Sequence, residues 1–379
     1  MKKIIYSLIF VFALTTFVAC ERDPIDRNNS IFPEDTGRPK TEFDWWLHRN
    51  FVESYNVRII YRFEDIESDV RRNLIPVGLR NSEVMAQIIQ HVWFDAYTEV
   101  VNQTFIRTLA PRIINMLGSW GYNTDGTMVL GTAEGGLKVT LYGVNSVDEH
   151  NIDIEHLNRF FFHTMHHEFA HILHQVVMFP LEFATLSQGE YIAGNWIHIA
   201  RLRPPQPPPP GPQTQTPGYD HANRRGFISP YAMSNRYEDF VELFSYFITR
   251  TPEWWTERMR IASFEYVRNL VPVLDAEGNI LLDNEGNPVL VLGPWVREFR
   301  EGAIILNRKL DILSEYMLTV WGLCIRKMRD VTLRRSAEVA TMVFETFDNT
   351  PRMSPTATVQ PFPVQLPEMR TCSRLRSNQ

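Results

Sequence analysis

His167-Glu168-Phe169-Ala170-His171 sets two imidazoles four residues apart with a carboxylate between them. On a helix, residues four apart project from one face about one turn apart, so His167 and His171 can offer two nitrogen donors to one ion. Neutral imidazole suits Zn2+. Glu168, beside the first donor, is placed to take a proton from metal-bound water rather than to bind the metal. A motif with three fixed positions recurs by chance, so its surroundings have to be weighed. Phe160, Phe161, Phe162, Phe169, Ile172 and Val176 predict a largely buried helix from about Ile154 to Val177, stopping before Pro180. Buried histidine and glutamate need partners, and a metal supplies them.

Catalytic zinc needs a third protein ligand and an open position. A metzincin would carry glycine at position 174 and histidine at 177. His174 and Val177 stand there, which excludes that class. Tyr231-Ala-Met-Ser-Asn-Arg-Tyr-Glu238-Asp-Phe-Val-Glu242 offers another solution, with Glu238 and Glu242 one helical turn apart on an otherwise apolar segment. One carboxylate can coordinate zinc while the other accepts a hydrogen bond from a ligand histidine. His174, one turn beyond His171, is the alternative third ligand. Three successive turns of a straight helix spread too far along its axis to surround one ion well, which favours a supporting or substrate contact for it. His163 is weighed the same way, and His166 points off the metal face toward a structural role.

HEFAH followed by a distant Glu-Asp-Phe-Val-Glu resembles the gluzincin type of metallopeptidase, and the block is similar to the catalytic domain of anthrax lethal factor. In that pattern a tyrosine precedes the ligand glutamate by seven residues and a second glutamate follows by four; Tyr231, Glu238 and Glu242 fall there. The resemblance implies that Tyr231 donates to the tetrahedral oxyanion. More of the chain resembles zinc-binding metallopeptidase lipoproteins associated with outer-membrane substrate import in Bacteroidetes-type bacteria. That likeness covers the leader, His166 to Gln175, the Glu238 segment, and Lys309 to Tyr316 with Trp321. It implies a peptide or glycopeptide substrate and nutrient-uptake components as neighbours.

The leader carries its own signal. Lys2 and Lys3 precede an apolar run from Ile4 to Ala19, too short for a bilayer span of about 20 residues but suited to export. Phe17-Val18-Ala19-Cys20 resembles a bacterial lipobox, with Phe17 in place of the usual aliphatic residue. Residues 1–20 are therefore expected to be a lipoprotein signal peptide with Cys20 lipidated, and residues 21–40 a polar tether. The expected location is the outer membrane, on its periplasmic or its outer face. With Cys20 lipidated, only Cys324 and Cys372 remain, in an apolar helical stretch and a polar C-terminus, which predicts no disulfide framework.

The elements that must position these groups follow from periodicity. Phe43, Trp46, Leu47 and Phe51 recur at helical spacing, and residues 57–63 read as a strand. Ser82 ahead of Val84, Ile88, Ile89 and Val92 predicts a capped helix. Residues 126–130 and Leu137 to Tyr142, around Gly135-Gly136, predict strand, turn and strand just before the metal helix. In a zincin the strand ahead of the active helix often binds substrate backbone, which nominates Leu137 to Tyr142. The prolines of 203–218 demand an extended loop. Glu277-Gly278-Asn279 and Glu285-Gly286-Asn287 make 273–292 a hairpin-like insert. Leu310, Leu313, Met317 and Val320 mark a long core helix.

With 44% hydrophobic and 22% charged residues the chain is an ordinary globular protein. Its net charge of -6 argues against nucleic acid, which needs a basic face. The expected fold is α+β and zincin-like: a twisted sheet on the His167 helix with Glu238 on a second helix. Residues 41–150 form an N-terminal α/β part, 151–350 the zinc-binding part and 351–379 an irregular tail. The expected activity is that of a one-zinc peptidase. A zinc amidase with the same ligands, or a non-catalytic glycan- or peptide-binding lipoprotein of an uptake complex, are the rival readings; Glu168 speaks against the second, because a structural site has no use for a base.

Overall fold

The computed structural model describes residues 40–63, 72–124, 126–129, 131–134, 137–206 and 216–350. The leader with Cys20, nearly all of the tether, the Gly135-Gly136 turn, most of the proline run, Cys372 and the tail lie outside the described residues. Among the described residues no helix is long and apolar enough to cross a membrane.

Helix α1 (Glu42–Leu47) is capped by Thr41, which exchanges hydrogen bonds with Asp44 in a capping box, and continues as a π-helical stretch, His48–Glu53. Its apolar stripe of Phe43, Trp46, Leu47 and Phe51 is buried as the spacing predicts. Strand β1 (Arg58–Ile60) follows, then α2 (Leu79–Ile88), which passes through a π-helical turn (Ile89–Phe94) into α3 (Asp95–Val100), and then α4 (Gln103–Leu109). Helix α2 begins three residues before Ser82, after Gly78. The Ser82 hydroxyl therefore sits inside the first turn and bonds to the Leu79 carbonyl instead of capping.

Strands β2 (Ile113–Met116), β3 (Gly121–Tyr122), β4 (Met128–Val129), β5 (Gly131–Glu134) and β6 (Lys138–Leu141) come next. The main sheet runs β1-β2-β6-β5, with β1, β2 and β6 parallel and β5 antiparallel to β6. In β2 and β6 the last three residues are all buried, as befits interior strands covered on both faces. Strands stand on both sides of Gly135-Gly136, but the partner of β6 is β5 at Gly131–Glu134 rather than a strand at 126–130, and the strand nominated for substrate is an interior one. β6 spends its hydrogen bonds on β2 and β5, and β5 forms the edge.

The metal helix is continuous from α5 (Ile154–Leu157), capped by Asp153, through a π-helical turn (Asn158–Phe162) into α6 (His163–Val176). One side of α6 is anchored by Phe169, whose ring meets Tyr97 at 4.7 Å and Trp93 at 6.1 Å between centroids. Burying such a ring contributes about 1.5–3 kcal/mol, which fixes the rotation of the helix and turns the His167 and His171 face away from the sheet core. Gly131 lets β5 approach α6: a Cβ there would lie 2.3 Å from Thr164 Cγ2.

Short helices α7 (Leu181–Thr185), α8 (Trp196–Ala200) and α9 (Pro217–Arg224) lead to α10 (Arg236–Thr249). Asn235 caps α10 by accepting from the amides of Tyr237 and Glu238, and every residue from Asp239 to Thr249 is buried. Helix α11 (Pro252–Ala262), strands β7 (Phe264–Val267), β8 (Leu270–Pro272), β9 (Leu290–Leu292) and β10 (Val296–Phe299), and helices α12 (Gly302–Trp321) and α13 (Ile325–Val339) complete the chain. Within α12, Leu310, Leu313 and Met317 are buried as expected, but Val320 is exposed near the helix end. One connected apolar core runs from Phe43 to Phe344. Cys324 does not lie inside a helix: it is the residue before α13, and it is disulfide-bonded, contrary to the expectation of a chain without disulfides.

Candidate metal centre

Helix α10 lies against α6 so that Glu238 faces the two motif histidines. His167 Nε2 and His171 Nε2 approach the same oxygen, Glu238 Oε2, at 3.1 and 3.2 Å. These three donor atoms lie within 4.8 Å of one another, close enough to share one ion. The caps place them: Asn235 starts α10 three residues before Glu238, and the π-helical turn ahead of α6 sets which of its faces looks toward α10.

The far nitrogen of each imidazole is held from behind. His167 Nδ1 donates to Glu242 Oε1 at 2.9 Å, so its Nε2 lone pair is left for the ion. Glu242 Oε1 also accepts from His163 Nε2 at 2.9 Å, and its Oε2 accepts from the Ser229 hydroxyl. The Ser229 oxygen in turn accepts from the Ala232 amide at 3.1 Å. His171 Nδ1 meets His174 Nε2 at 2.9 Å, and the His174 ring stacks on Tyr237. His174 thus sits on the side of His171 remote from Glu238. His163, His167 and Glu242 form a second group with metal-like spacing, but there both Glu242 oxygens already accept hydrogen bonds, so that group reads as a support for His167.

Electrostatics follow from this packing. Burial works to raise the Glu238 carboxyl, but hydrogen bonds and charge from His167 and His171 outweigh it and bring the pKa down to about 2. Burial likewise opposes ionisation of Glu242, and His163 with His167 nonetheless holds it well below the usual carboxylate range. His167 loses by desolvation and gains more from Glu238 and Glu242, ending well above an ordinary histidine. Burial, with His171 next, lowers His174 to about 4, which keeps it neutral. A buried pair of anions facing one cationic imidazole and its neighbour is a charge arrangement that a divalent cation fits, and two nitrogens with one carboxylate oxygen are a zinc-type donor set.

Glu168 is buried and lies beside this centre; the Cβ position built on Gly131 is 3.6 Å from its Oε1, so the edge strand passes directly over it. Tyr231 sits on the 3-10 turn Tyr231–Met233 just before α10. Its ring runs alongside His167, 6.1 Å between centroids, and Trp196 packs edge-on against it at 5.0 Å. Burial, then the Glu238, Glu242 and Glu168 charges, push its ionisation far up, so the phenol stays a donor. His166 lies on the opposite side of α6, buried against Tyr97, whose hydroxyl is 3.1 Å from its Nδ1.

Sequence reasoning missed Ser229, His163 as a partner of Glu242, Trp196 and the buried pair Lys309–Asp239. Lys309 Nζ bonds Asp239 Oδ2 at 2.7 Å and the Gly226 carbonyl at 2.8 Å, while the Tyr191 hydroxyl donates to the same Asp239 oxygen. That pair locks α10 to α12 one residue from Glu238. Only Lys309, a lysine among aliphatic core positions, left a visible trace in the sequence.

Two imidazoles and a carboxylate converging beside a helical glutamate define a zinc-peptidase type of centre. Residues 36–326 match the family described as "Putative zinc-binding metallo-peptidase", and the chain belongs to that family. It is similar to the crystal structure of a "putative zinc-binding metallo-peptidase" from Bacteroides caccae, with 32% sequence identity and a TM-score of 0.58, over 80% of this chain and 95% of that one. No curated protein matches the chain. The zinc-metallopeptidase expectation stands, and α+β holds as a mixed helix-and-sheet architecture.

Proposed function

We propose that the chain is a lipid-anchored zinc peptidase in which His167, His171 and Glu238 hold one Zn2+ and Glu168 is the general base. The observation that carries this reading is the meeting of His167 Nε2, His171 Nε2 and Glu238 Oε2 with Glu168 adjacent. When bound, zinc supplies a Lewis acid that polarises the scissile carbonyl and acidifies water. Glu168 takes the proton of the attacking water and passes it to the leaving amine. Tyr231, kept protonated by burial and neighbouring carboxylates, donates to the oxygen that gains charge. Glu242 and His174 orient the two histidines.

The antiparallel edge strand beside the metal helix supports the reading of a zincin-like arrangement. A substrate backbone would add to the free edge of β5 rather than to β6, since an extended peptide pairs only with open amides and carbonyls. Gly131 keeps that edge close to Glu168. Cys20 would carry the lipid and place the enzyme at the outer membrane, where peptide or glycopeptide cleavage would serve nutrient uptake; the leader pattern is the support for this.

Purified protein should contain about one zinc and cleave an unstructured protein substrate. Glu168→Gln should keep the metal and lose about 10²–10⁴-fold in turnover. Zinc-free protein, or undiminished turnover in that variant, refutes the reading. Labelled palmitate should enter the wild type and not Cys20→Ala.

A further inference from the structure

Between α11 and α12 the chain leaves the body as a narrow arm, residues 264–299. At its base β7 pairs with β10, and further out β8 pairs with β9, with Leu270 opposite Leu292 and Pro272 opposite Leu290. The outer end is built from two copies of one eight-residue pattern, Leu274-Asp-Ala-Glu-Gly-Asn-Ile-Leu281 and Leu282-Asp-Asn-Glu-Gly-Asn-Pro-Val289. Each copy is a turn closed by its aspartate: Asp275 N bonds Asn279 O and Asp283 N bonds Asn287 O, both at 2.8 Å. The turns are joined in a ring, in which Val273 N bonds Val289 O, Leu281 N bonds Val273 O and Val289 N bonds Leu281 O, each at 2.8 Å. The backbone is therefore held in one shape by its own hydrogen bonds.

The side chains suit a covered surface. Leu270 is 60% exposed, Leu282 54% and Leu292 53%, and Leu274, Leu281 and Leu290 are similar; none belongs to the core cluster. Two-stranded ribbons are marginal alone and normally blunt their open edges with charge. This one instead leaves a run of aliphatic side chains open along its length, the kind of surface an interface covers. Charge is segregated along it. From Asn269 to Gly293 the ionisable residues are Asp275, Glu277, Asp283 and Glu285, all acidic. At the base, Glu265 and Glu298 are both engaged by Arg300, and Glu265 also by Arg224. Arg268, by contrast, donates to the Leu292 and Gly293 carbonyls and Arg297 lies over the Phe264 ring at 3.6 Å; neither of these two has a carboxylate partner among the described residues, so the base carries an excess of positive charge.

An acidic end, an aliphatic middle and a cationic base form a surface that complements a reversed copy of itself. We propose that the arm is a dimerisation device for two copies of this chain. The arms lie antiparallel about a two-fold axis, aliphatic faces together, with the Asp275 and Asp283 turns of one copy against Arg268 and Arg297 of its partner. Arg268 and Asp275 are about 23 Å apart along an extended strand, so a charge cluster closes each end of the apolar seam. An anionic bilayer would be repelled by the acidic end. This inference does not depend on the metal site.

Sedimentation velocity of the full chain at micromolar concentration should show a concentration-dependent dimer. Leu281→Asp with Leu292→Asp should weaken it at least 100-fold, leaving zinc content and thermal midpoint unchanged because the arm lies outside the core. Glu285→Arg, on the same turn but with its side chain outside the turn's hydrogen bonds, and Arg297→Asp should each weaken the dimer, and their combination should restore it. A monomer throughout that range, a dimer indifferent to the leucine changes, or arm-dependent flotation of a monomer with phosphatidylglycerol vesicles would overturn the proposal.

Discussion

Replacing Glu242 by glutamine removes a charge from behind the metal centre while leaving the volume of the side chain in place. Glu242 accepts from His167 Nδ1 and from His163 Nε2, each at 2.9 Å, and from Ser229 on its other oxygen. A glutamine carbonyl can still take the two ring N–H groups, and its amide can donate to Ser229, whose hydroxyl rotates. The geometry therefore survives, and what is lost is the negative charge that makes His167 a better donor. Removing such a partner typically costs 10- to 100-fold in metal affinity, or about 1.4–2.7 kcal/mol. Competition with a chromophoric chelator measures this directly, and unfolding of the zinc-free chain in urea controls for stability. Ser229→Ala should give a smaller loss in the same direction. A zinc affinity in Glu242→Gln within about twofold of wild type would show that Glu242 does not tune His167, and the supporting role assigned to it would fall.

Tyr231→Phe should keep zinc and KM but lower kcat by about 10²-fold or more, read from steady-state kinetics on a peptide substrate; equal kcat would remove it from the mechanism. Gly131→Ala should cost about 1–3 kcal/mol by forcing a Cβ against Thr164 Cγ2. Adding Thr164→Ser should recover much of that in urea unfolding, since the clashing methyl is gone. His166 is buried, and desolvation lowers its pKa to about 3. The unfolded chain takes up a proton near 6.5 that the folded chain refuses, so acidification from pH 6.5 toward 3 drains stability at about 1.4 kcal/mol per pH unit from this group. His166→Gln should show a pH slope shallower by that amount in urea titrations, and identical slopes would refute the assignment.

The metal-binding half of the site was the more legible in sequence, because its chemistry is local. His167, Glu168 and His171 lie within one and a half turns, and helical periodicity alone sets two imidazoles on one face. The Glu238–Glu242 spacing is local in the same sense. The supporting contacts were less so. His174 had two readings, and only its 2.9 Å approach to His171 Nδ1 puts it behind that ring. Ser229, His163 and the Lys309–Asp239 pair depend on how loops and distant helices pack, which no periodicity encodes. The nominated substrate strand went astray for a related reason: Leu137 to Tyr142 has the apolar character of a strand, but edge or interior is a property of its neighbours.

The sequence by itself determined the donor types, their helical faces and the amphipathic stripe that buries them, since each is a matter of residues within a few turns. Tertiary structure alone decided that α10 docks with Glu238 Oε2 between two imidazoles, that β5 rather than β6 borders Glu168, and that the arm stands clear of the core. The first depends on a contact between residues 67 positions apart and the second on one between Gly131 and Glu168, and such contacts are chosen by the packing of the whole core.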